Sequence, residues 1–444
     1  MSITRRRFLT QLSVLGAAPF VLPSRIWSAA HKPNDRINIA VIGAGKQGRY
    51  LLEAFMNHKR ARVVAVCDVD TTRRLDIQRM VNEFYTGHAE AGSPDCAAYN
   101  DFRAVINRRD IDAVCVTTPD HWHAYIAIAA MRSGKDVYCE KPLAHNVHEI
   151  KEMMKTVALT GRVLQTGSMQ RSMKEFRIAC ELVRNGMIGK ISRVECSFGG
   201  PAVPCDLPEE TLEPGLDWDM WLGPAPLRPY SSVLSPRGIH KHFPDWREYR
   251  EYGGGMVTDW GAHHMDIAQW GLDMDKSGPV EIIPPDNPEA VDGGILIYDN
   301  GIRVIHQKGF GVHFYGSDGE VKVNRGKFEF WLQGKKIAGF AGKGDEGSLG
   351  AALSKVEEEF LKDPKIKLYV SVDHVRNFLD CMESRKKPIT DVEVGGRSAT
   401  VCHLLNQAYY HRQVLKWNPR RMQFARGGGD EAWVTREFRS PWVV

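Results

Sequence analysis

The sequence lacks several features that would assign the protein to a simple class. Its nine cysteines form no Cys-x-x-Cys pair and no Cys/His spacing typical of zinc, so neither a disulfide framework nor a metal site is predicted. The apolar run at residues 9–22 contains polar residues and is too short to span a bilayer. The formal net charge of +5 falls by four to +1 without residues 1–30, which carry four arginines and no acidic residue. A nearly neutral chain offers no electrostatic footprint for nucleic acid or anionic lipid.

The first thirty residues have the pattern of an export signal. The run Thr4-Arg5-Arg6-Arg7-Phe8-Leu9 is a twin-arginine pattern, a modest apolar stretch follows it, and Ser28-Ala29-Ala30 offers a cleavage site. We therefore expect export by the twin-arginine route to a periplasmic or other extracytoplasmic location. A basic leader with no targeting role is the alternative.

A glycine-rich turn directly follows a predicted buried strand, Ile37–Ile42. In Gly43-Ala44-Gly45-Lys46-Gln47-Gly48 the first glycine permits a tight turn, the second lets the backbone approach a pyrophosphate, and the third allows helix to pack on strand. Asp68 ends the next predicted strand, where a carboxylate would accept a hydrogen bond from a ribose 2′-hydroxyl. The pattern predicts dinucleotide binding with NAD preferred, although Arg73 and Arg74 leave NADP possible. The predicted contacts in this region are Gly43, Gly45, Lys46, Gln47, Gly48 and Asp68.

The order of predicted elements divides the chain into two domains. Strands and helices alternate up to about residue 160, which predicts an α/β Rossmann domain with a doubly wound parallel sheet. Later strands separated by turns predict an α+β domain with a large, mainly antiparallel open sheet. The strands predicted there span 190–198, 280–283, 295–298, 301–307 and 312–316. The expected segments are a signal peptide (1–30), the Rossmann domain (31–160), a C-terminal domain (161–425) and a tail (426–444).

Two further motifs carry groups suited to acid–base chemistry. Glu140-Lys141-Pro142 follows a strand of the predicted parallel sheet, at the edge where such sheets bind ligands. If residues 257–271 form one helix, Asp259 and His263 share a face, and a carboxylate beside an imidazole raises its basicity. Spacing alone leaves two other interpretations open: a solvated ion pair for the first motif and a surface Asp/His pair for the second.

The segment between these motifs, residues 199–255, is long, rich in glycine and proline, and predicted to form a lid. Its aromatic side chains can stack on sugar rings, and its cations and imidazoles can bind hydroxyl groups. They equally suit packing of the lid onto the domain. The residues concerned are Trp218, Trp221, Tyr230, Phe243, Trp246, Tyr249 and Tyr252, with Arg237, His240, His242 and Arg247.

The motifs together resemble those of the glucose-fructose oxidoreductase / inositol dehydrogenase / MocA (Gfo/Idh/MocA) family, over nearly the whole chain after the leader. The matching segments are Gly43–Gly48, Thr118-Pro119-Asp120-His121-Trp122-His123, Glu140-Lys141-Pro142 and residues 253–266. The resemblance implies that Lys141, Asp259 and His263 correspond to the catalytic lysine, aspartate and histidine. It also implies a homo-oligomer, a dimer or a tetramer, formed through the open sheet of a C-terminal substrate and oligomerisation domain.

The same resemblance assigns further residues to the cofactor and the substrate. It implies that Gln165 approaches the nicotinamide side. The other residues implied on that side are Thr118, Pro119, His123, Glu140, Lys141, Gln170 and Arg171. The substrate contacts that we predict are Lys141, Arg171, Trp246, Arg247, Asp259 and His263.

Three functions fit these observations. The first is an NAD(P)-dependent oxidoreductase of carbohydrate metabolism, which transfers hydride between a sugar, glycoside or polyol and a tightly bound nicotinamide. The second is a redox-neutral glycosidase or lyase that acts through a transient keto-sugar. The third is a non-catalytic sugar-binding protein. Export favours a closed redox cycle, because free nicotinamide is not expected to be recycled outside the cytoplasm.

Overall fold

The first sheet carries the predicted nucleotide-binding turn. The computed structural model of the protein describes residues 36–87 and 95–443, and the predicted export signal lies outside the described residues. The strands are β1 (Ile37–Ile42), β2 (Ala61–Cys67), β3 (Ala97–Tyr99), β4 (Ala113–Val116), β5 (Asp136–Cys139) and β6 (Leu164–Thr166). They lie in the order β3-β2-β1-β4-β5-β6, and every neighbouring pair is parallel. The last strand lies past residue 160, where the sequence predicts the first domain to end.

Five helices accompany this sheet. They are α1 (Lys46–Met56), α2 (Thr71–Gly87), α3 (Phe102–Ile106), α4 (Asp120–Arg132) and α5 (Val147–Thr160). The ends of α5 follow from its sequence: the Asn146 side chain accepts from the amide of Glu149 at the start, and Gly161 adopts a left-handed conformation at the end. Strands β4 and β5 are buried along their whole length, as expected for a parallel sheet covered on both faces.

The second sheet has ten strands. They are β7 (Ile191–Cys196), β8 (Glu281–Ile283), β9 (Ile295–Ile297), β10 (Arg303–His306), β11 (Val312–Gly316), β12 (Gly319–Asn324), β13 (Lys327–Leu332), β14 (Lys335–Phe340), β15 (Leu415–Asn418) and β16 (Gln423–Phe424). The order is β14-β13-β12-β11-β7-β10-β9-β8-β15-β16. Neighbours are antiparallel except β7 and β10, which run parallel. The predicted fold class is therefore confirmed.

Seven more helices follow the first sheet along the chain. They are α6 (Lys174–Arg184), α7 (Trp218–Leu222), α8 (Gly255–Thr258), α9 (Trp260–Gly271), α10 (Leu349–Glu359), α11 (His374–Ser384) and α12 (Val392–His411). Short 3-10 turns occur at Met169–Ser172, Asp245–Glu248 and Glu431–Val434. Helices α9 and α12 pack against each other and bury most of their side chains. This packing fixes the start of α9, where the second predicted motif lies.

The described residues contain no unusual covalent or metal-bound element. All nine cysteines are free thiols, and eight of them are buried. Among residues 36–87 and 95–443, no cluster of three histidine, cysteine or acidic side chains is arranged to hold a metal ion. No helix within these ranges is both long enough and apolar enough to cross a membrane.

Candidate active site

The turn after β1 has the geometry that a dinucleotide requires. Gly43 has a φ of +104°, and a Cβ there would lie 2.6 Å from the backbone of Thr117. A Cβ at Gly48 would overlap the carbonyl oxygen of Gly43, so the third glycine allows α1 to pack on the turn. At Gly45, by contrast, a Cβ would meet nothing within 4 Å. The backbone of the second glycine therefore faces open space, where a pyrophosphate would lie.

The start of α1 is suited to an anion. No side chain caps its N-terminus, and its first turn contains no acidic residue. The free amide groups and the positive end of the helix dipole therefore remain for a phosphate. Gly43, Gly45, Lys46, Gln47 and Asp68 line one crevice beside this turn. The residues present fit NAD.

Asp68 lies where the sequence predicts it, at the end of β2. Its Oδ2 accepts from the amide of Ala44 at 2.6 Å, and its Oδ1 accepts from the amide of Asp70 at 2.8 Å. Arg74 donates to the carbonyl oxygen of Asp68 at 2.6 Å, and Arg73 donates to Gly238 at 3.0 Å. Both guanidinium groups thus have protein partners. NAD is favoured over NADP, because the acidic side chain of Asp68 would repel a 2′-phosphate.

Replacing Asp68 with Ala should erode the preference for NAD. The loss of a charged hydrogen-bond acceptor should lower the ratio of the NADP to the NAD dissociation constant by about tenfold. Titration of both cofactors by calorimetry measures this ratio. Glu83→Ala, an exposed position on α2, is the matched control. An unchanged ratio in the Asp68 variant would count against a ribose contact.

The predicted nicotinamide-side residues lie around a second cavity. Thr118, His123 and Glu140 line it together with Gln47, while Pro119 lines the adjoining crevice. Gln47 donates to Glu140 at 2.9 Å, which links the glycine-rich turn to the end of β5. The Thr118 hydroxyl is buried and has no hydrogen-bond partner among the described residues.

His123 holds this edge of the sheet together. Its Nδ1 lies 2.8 Å from the carbonyl oxygen of Pro142, and its Nε2 lies 2.9 Å from that of Thr118. Burial lowers the pKa of His123 to about 4, so the ring is neutral at neutral pH. His123 therefore joins the loop after β4 to the loop after β5, from which Lys141 extends.

Lys141, Asp259 and His263 are brought together at the second cavity, although Lys141 and Asp259 are 118 residues apart. The Lys141 ammonium donates to the Asp259 carboxylate and, at 3.2 Å, to the Asp259 carbonyl oxygen. Arg247 Nε lies 3.8 Å from the same carboxylate. Burial opposes the charged form of Asp259, but the nearby cations Lys141, Arg247 and Arg325 outweigh it and lower its pKa.

The geometry between Asp259 and His263 differs from the prediction. The expected helix 257–271 is broken at Asp259, where ψ is −79°, and continues as two separate helices, α8 and α9. The carboxylate binds Lys141 rather than the imidazole, and Nδ1 of His263 has no hydrogen-bond partner among the described residues. Burial, followed by the charges of Lys141 and Arg325, lowers the pKa of His263 well below 6.5. Asp259 therefore does not raise the basicity of His263.

Arg171 does not line the cavity, contrary to the prediction. Its guanidinium is fully buried and binds the carboxylates of Asp266 at 2.8 Å and Asp275 at 2.7 Å. It also lies 5.0 Å from the ring of Trp270. A buried arginine with two carboxylate partners serves the packing of α9, so the structure does not bring Arg171 together with the residues that line the cavity.

The two predicted glutamines also lie behind the cavity wall rather than in it. With its amide oriented for hydrogen bonding, Gln170 donates to the carbonyl oxygen of His263 and accepts from Arg325, both at 3.2 Å. Gln165 is fully buried and donates to the carbonyl oxygen of His374 at 2.7 Å. Gln170 can therefore position His263 and Arg325 from behind the wall, and the structure does not place it among the residues that line the cavity.

Most aromatic residues of the lid pack on one another. Trp246 and Arg247, both predicted substrate contacts, do line the cavity, and so does Phe243. The guanidinium of Arg247 lies 4.2 Å from the Trp246 ring and 5.0 Å from the Phe243 ring. The other aromatic residues named in the lid belong to a small hydrophobic core or pack against it, and Trp246 is a member of that core as well. Its members are Leu216, Trp221, Leu222, Ala225, Tyr230, Leu234, Trp246 and Tyr252.

The sequence prediction missed several residues of the cavity wall. Arg325 reaches it from the turn between β12 and β13, and Trp260 reaches it from the first position of α9. Asp120, quoted within a family motif, also lines it and is buried. A polar turn such as Asn324-Arg325-Gly326 looks like any solvent-exposed hairpin, so the sequence offers no signal for Arg325.

Comparison with known proteins assigns both halves of the chain. The model of an oxidoreductase family with an NAD-binding Rossmann fold matches residues 37–168. The model of the C-terminal alpha/beta domain of the same family matches residues 202–444.

Curated relatives match this chain over less than half of their own length. A glycosyl hydrolase family 109 protein from Saccharopolyspora erythraea is 31% identical over 202 residues, 44% of this chain and 41% of that protein. A 2,7-anhydro-N-acetylneuraminate hydratase from Mediterraneibacter gnavus is 29% identical over 155 residues, 35% of this chain and 37% of that protein.

Solved structures share the fold. An aldose-aldose oxidoreductase from Caulobacter crescentus, complexed with glycerol, has a TM-score of 0.57 and 17% identity over 86% of this chain and 99% of that one. The WlbA dehydrogenase from Bordetella pertussis, in complex with NADH and UDP-GlcNAcA, has a TM-score of 0.58 and 16% identity over the same shares. Because both domain models match and the second spans more than half of the sequence, the chain belongs to the Gfo/Idh/MocA family of NAD-binding oxidoreductases.

Proposed function

We propose that the protein oxidises a hydroxyl group of a sugar, glycoside or polyol with NAD as its cofactor. The observation that supports this proposal is the single cavity lined by Lys141, Asp259 and His263 together with Gln47 and Thr118 of the nucleotide-binding half. Gln47 and Thr118 also line the crevice beside the glycine-rich turn, so the two spaces adjoin. Substrate and nicotinamide would therefore meet at the groups able to handle a proton.

Each of the three residues has a distinct task in this proposal. His263 accepts the proton of the substrate hydroxyl as the carbonyl double bond forms. The Lys141 ammonium binds the same oxygen and stabilises its developing negative charge. Asp259 orients Lys141 through their hydrogen bond and stabilises its charge. A bound NAD supplies the hydride acceptor for the adjacent carbon.

The cavity wall supports a carbohydrate ligand. Trp246, Trp260 and Phe243 supply aromatic faces, and these suit the C–H faces of a sugar ring. Arg247 and Lys141 supply donors for hydroxyl groups. Two of the relatives act on, or were solved with, sugar-like molecules, which agrees with this choice of substrate class.

We further propose that the protein works outside the cytoplasm as a homo-oligomer with tightly bound cofactor. The twin-arginine pattern at Thr4–Leu9 supports export. An exported enzyme needs to retain its cofactor and regenerate it within each cycle.

The lowered pKa of His263 predicts an unusual pH profile. Only the neutral imidazole can accept a proton, and a pKa below 6.5 keeps it neutral further into the acid range. The acid limb of kcat/KM against pH should therefore fall below pH 6.5, the ordinary value for histidine. Initial rates across a buffer series measure it. An acid limb above that value would contradict the assigned base.

A redox-neutral glycosidase or lyase is the second candidate. It is favoured by the relatives named as glycosyl hydrolase family 109 protein and as a hydratase. In this reaction the hydroxyl is oxidised, the C–H bond next to the new carbonyl becomes acidic, and the aglycone leaves as that proton is removed. Water adds and the carbonyl is reduced again, so the cofactor ends in its starting state.

One experiment separates these functions. The purified protein, loaded with NAD, is incubated with a panel of free sugars and aryl glycosides, while NADH absorbance and aglycone release are followed. Stoichiometric NADH with a free sugar supports net oxidation. Aglycone release without net NADH supports the redox-neutral reaction. Sugar binding with neither product would leave a binding protein and contradict both enzymatic proposals.

A further inference from the structure

Three cationic side chains line the cavity of the proposed catalytic residues, and they differ in how closely a carboxylate approaches them. Lys141, Arg247 and Arg325 all line it. Lys141 is hydrogen-bonded to Asp259. Arg247 lies further from that carboxylate, at 3.8 Å. The guanidinium of Arg325 has no ion-pair partner within the described part of the chain.

The other two acidic groups of the cavity, Glu140 and Asp120, form no ion pair with Arg325. Glu140 and Asp120 are both buried, and burial raises the pKa of each carboxyl. Glu140 accepts hydrogen bonds from the side chain of Gln47 at 2.9 Å and from the amide of Lys141 at 3.2 Å. Asp259, whose pKa the nearby cations lower, contacts Lys141 and lies 3.8 Å from Arg247. Arg325 therefore lines the cavity without a carboxylate at ion-pair distance in the described part of the chain.

The two arginines are held in place by neutral groups. Arg325 lies 4.7 Å from the ring of Trp260, and its Nε donates to the reoriented Gln170 amide at 3.2 Å. Arg247 stacks on Trp246 and donates to the carbonyl oxygen of Pro244 at 3.1 Å. These contacts orient both guanidinium groups, and because Arg325 forms no ion pair among the described residues, its donors remain for an oxyanion.

We propose that Arg325, together with Arg247, binds an oxyanion carried by the substrate, a carboxylate or a phosphate on the sugar. The preferred ligand would then be an acidic sugar rather than a neutral one. This inference rests on the proposed function, because it places the anion in the same cavity as Lys141 and His263. It adds the substrate class and names Arg325 as the residue that selects it.

Binding to the NAD-loaded protein tests the proposal. Glucose, glucuronic acid and glucose 6-phosphate share one ring and differ at a single carbon, so their dissociation constants from calorimetry isolate the charge. The wild-type protein should bind an acidic sugar more tightly than glucose. Arg325→Gln should weaken that binding by about tenfold to a hundredfold and weaken glucose binding much less, because glucose carries no anion. The two acidic probes show whether the group is a carboxylate or a phosphate.

Lys327→Gln is the matched control. Lys327 begins β13 two residues after Arg325, is exposed, and does not line the cavity, so its loss removes one positive charge from the same hairpin. Melting temperature and NAD affinity verify that each variant is folded. Equal binding of acidic and neutral sugars by the wild type would overturn the inference. So would an equal loss for both sugars in Arg325→Gln.

Failure of the proposed anion site can be distinguished from failure of the proposed function. If neutral sugars are oxidised and bind as well as acidic ones, the proposed function stands and the anion site fails. If acidic sugars bind through Arg325 but neither NADH nor any sugar product forms, the anion site stands and the proposed chemistry fails.

Discussion

Replacement of His263 with Ala is expected to lower the rate of hydride transfer by about 10²–10⁴-fold. Nδ1 of His263 has no hydrogen-bond partner among the described residues, whereas both ring nitrogens of His123 in the same cavity lie against backbone carbonyl oxygens, so the proposed base is His263. Bound NAD should remain, because His263 does not line the crevice beside the glycine-rich turn. Single-turnover formation of NADH in the NAD-loaded protein measures the rate.

His264→Ala is the control for this variant. His264 precedes Met265 in the same helix, but its Nδ1 lies 2.6 Å from the carbonyl oxygen of Ser197, which indicates a packing contact rather than a catalytic one. Its loss should lower stability and change the hydride-transfer rate by only a few-fold. Unchanged turnover in His263→Ala would contradict its assignment as the base.

The second large effect is expected on stability. Arg171→Met should lower the free energy of unfolding by about 3–5 kcal/mol, because it leaves buried carboxylates without their cation. Asp266 is fully buried and depends on Arg171 and on the hydroxyl of Ser398. Urea denaturation followed by circular dichroism measures the change.

A surface ion pair provides the comparison. Arg184 binds Asp273 at 2.9 Å, but the Asp273 side chain is 71% exposed. Arg184→Met should therefore cost less than about 1 kcal/mol. Equal losses in the two variants would show that burial of the Arg171 network does not matter to stability.

The parts of the molecule that the sequence predicts well are those encoded by neighbouring residues. Strand β1, the glycine-rich turn and Asp68 lie within about thirty residues, and each local requirement points to the same structure. Helix α5 is likewise bounded by local signals, the Asn146 cap before Val147 and the left-handed Gly161 after Thr160. The strands β12–β14 have no counterpart among the predicted ones, because short hairpins with charged outer positions resemble solvent-exposed turns.

Contacts between distant segments were predicted less well. The helical spacing of Asp259 and His263 is correct only if the helix is continuous, and the break at Asp259 turns the carboxylate to Lys141. Arg171 was assigned to the cavity by family resemblance, but its two acidic partners lie about a hundred residues further along the chain. Such ion pairs depend on tertiary packing, which no local pattern specifies.

A crystal structure of the protein with NAD bound would test the proposed active site most directly. We expect the pyrophosphate to lie against the backbone of Gly45, the adenosine ribose to lie at Asp68, and the nicotinamide ring to face Lys141 and His263. A nicotinamide ring bound outside that cavity, or one bound away from Lys141 and His263, would contradict the proposed active site.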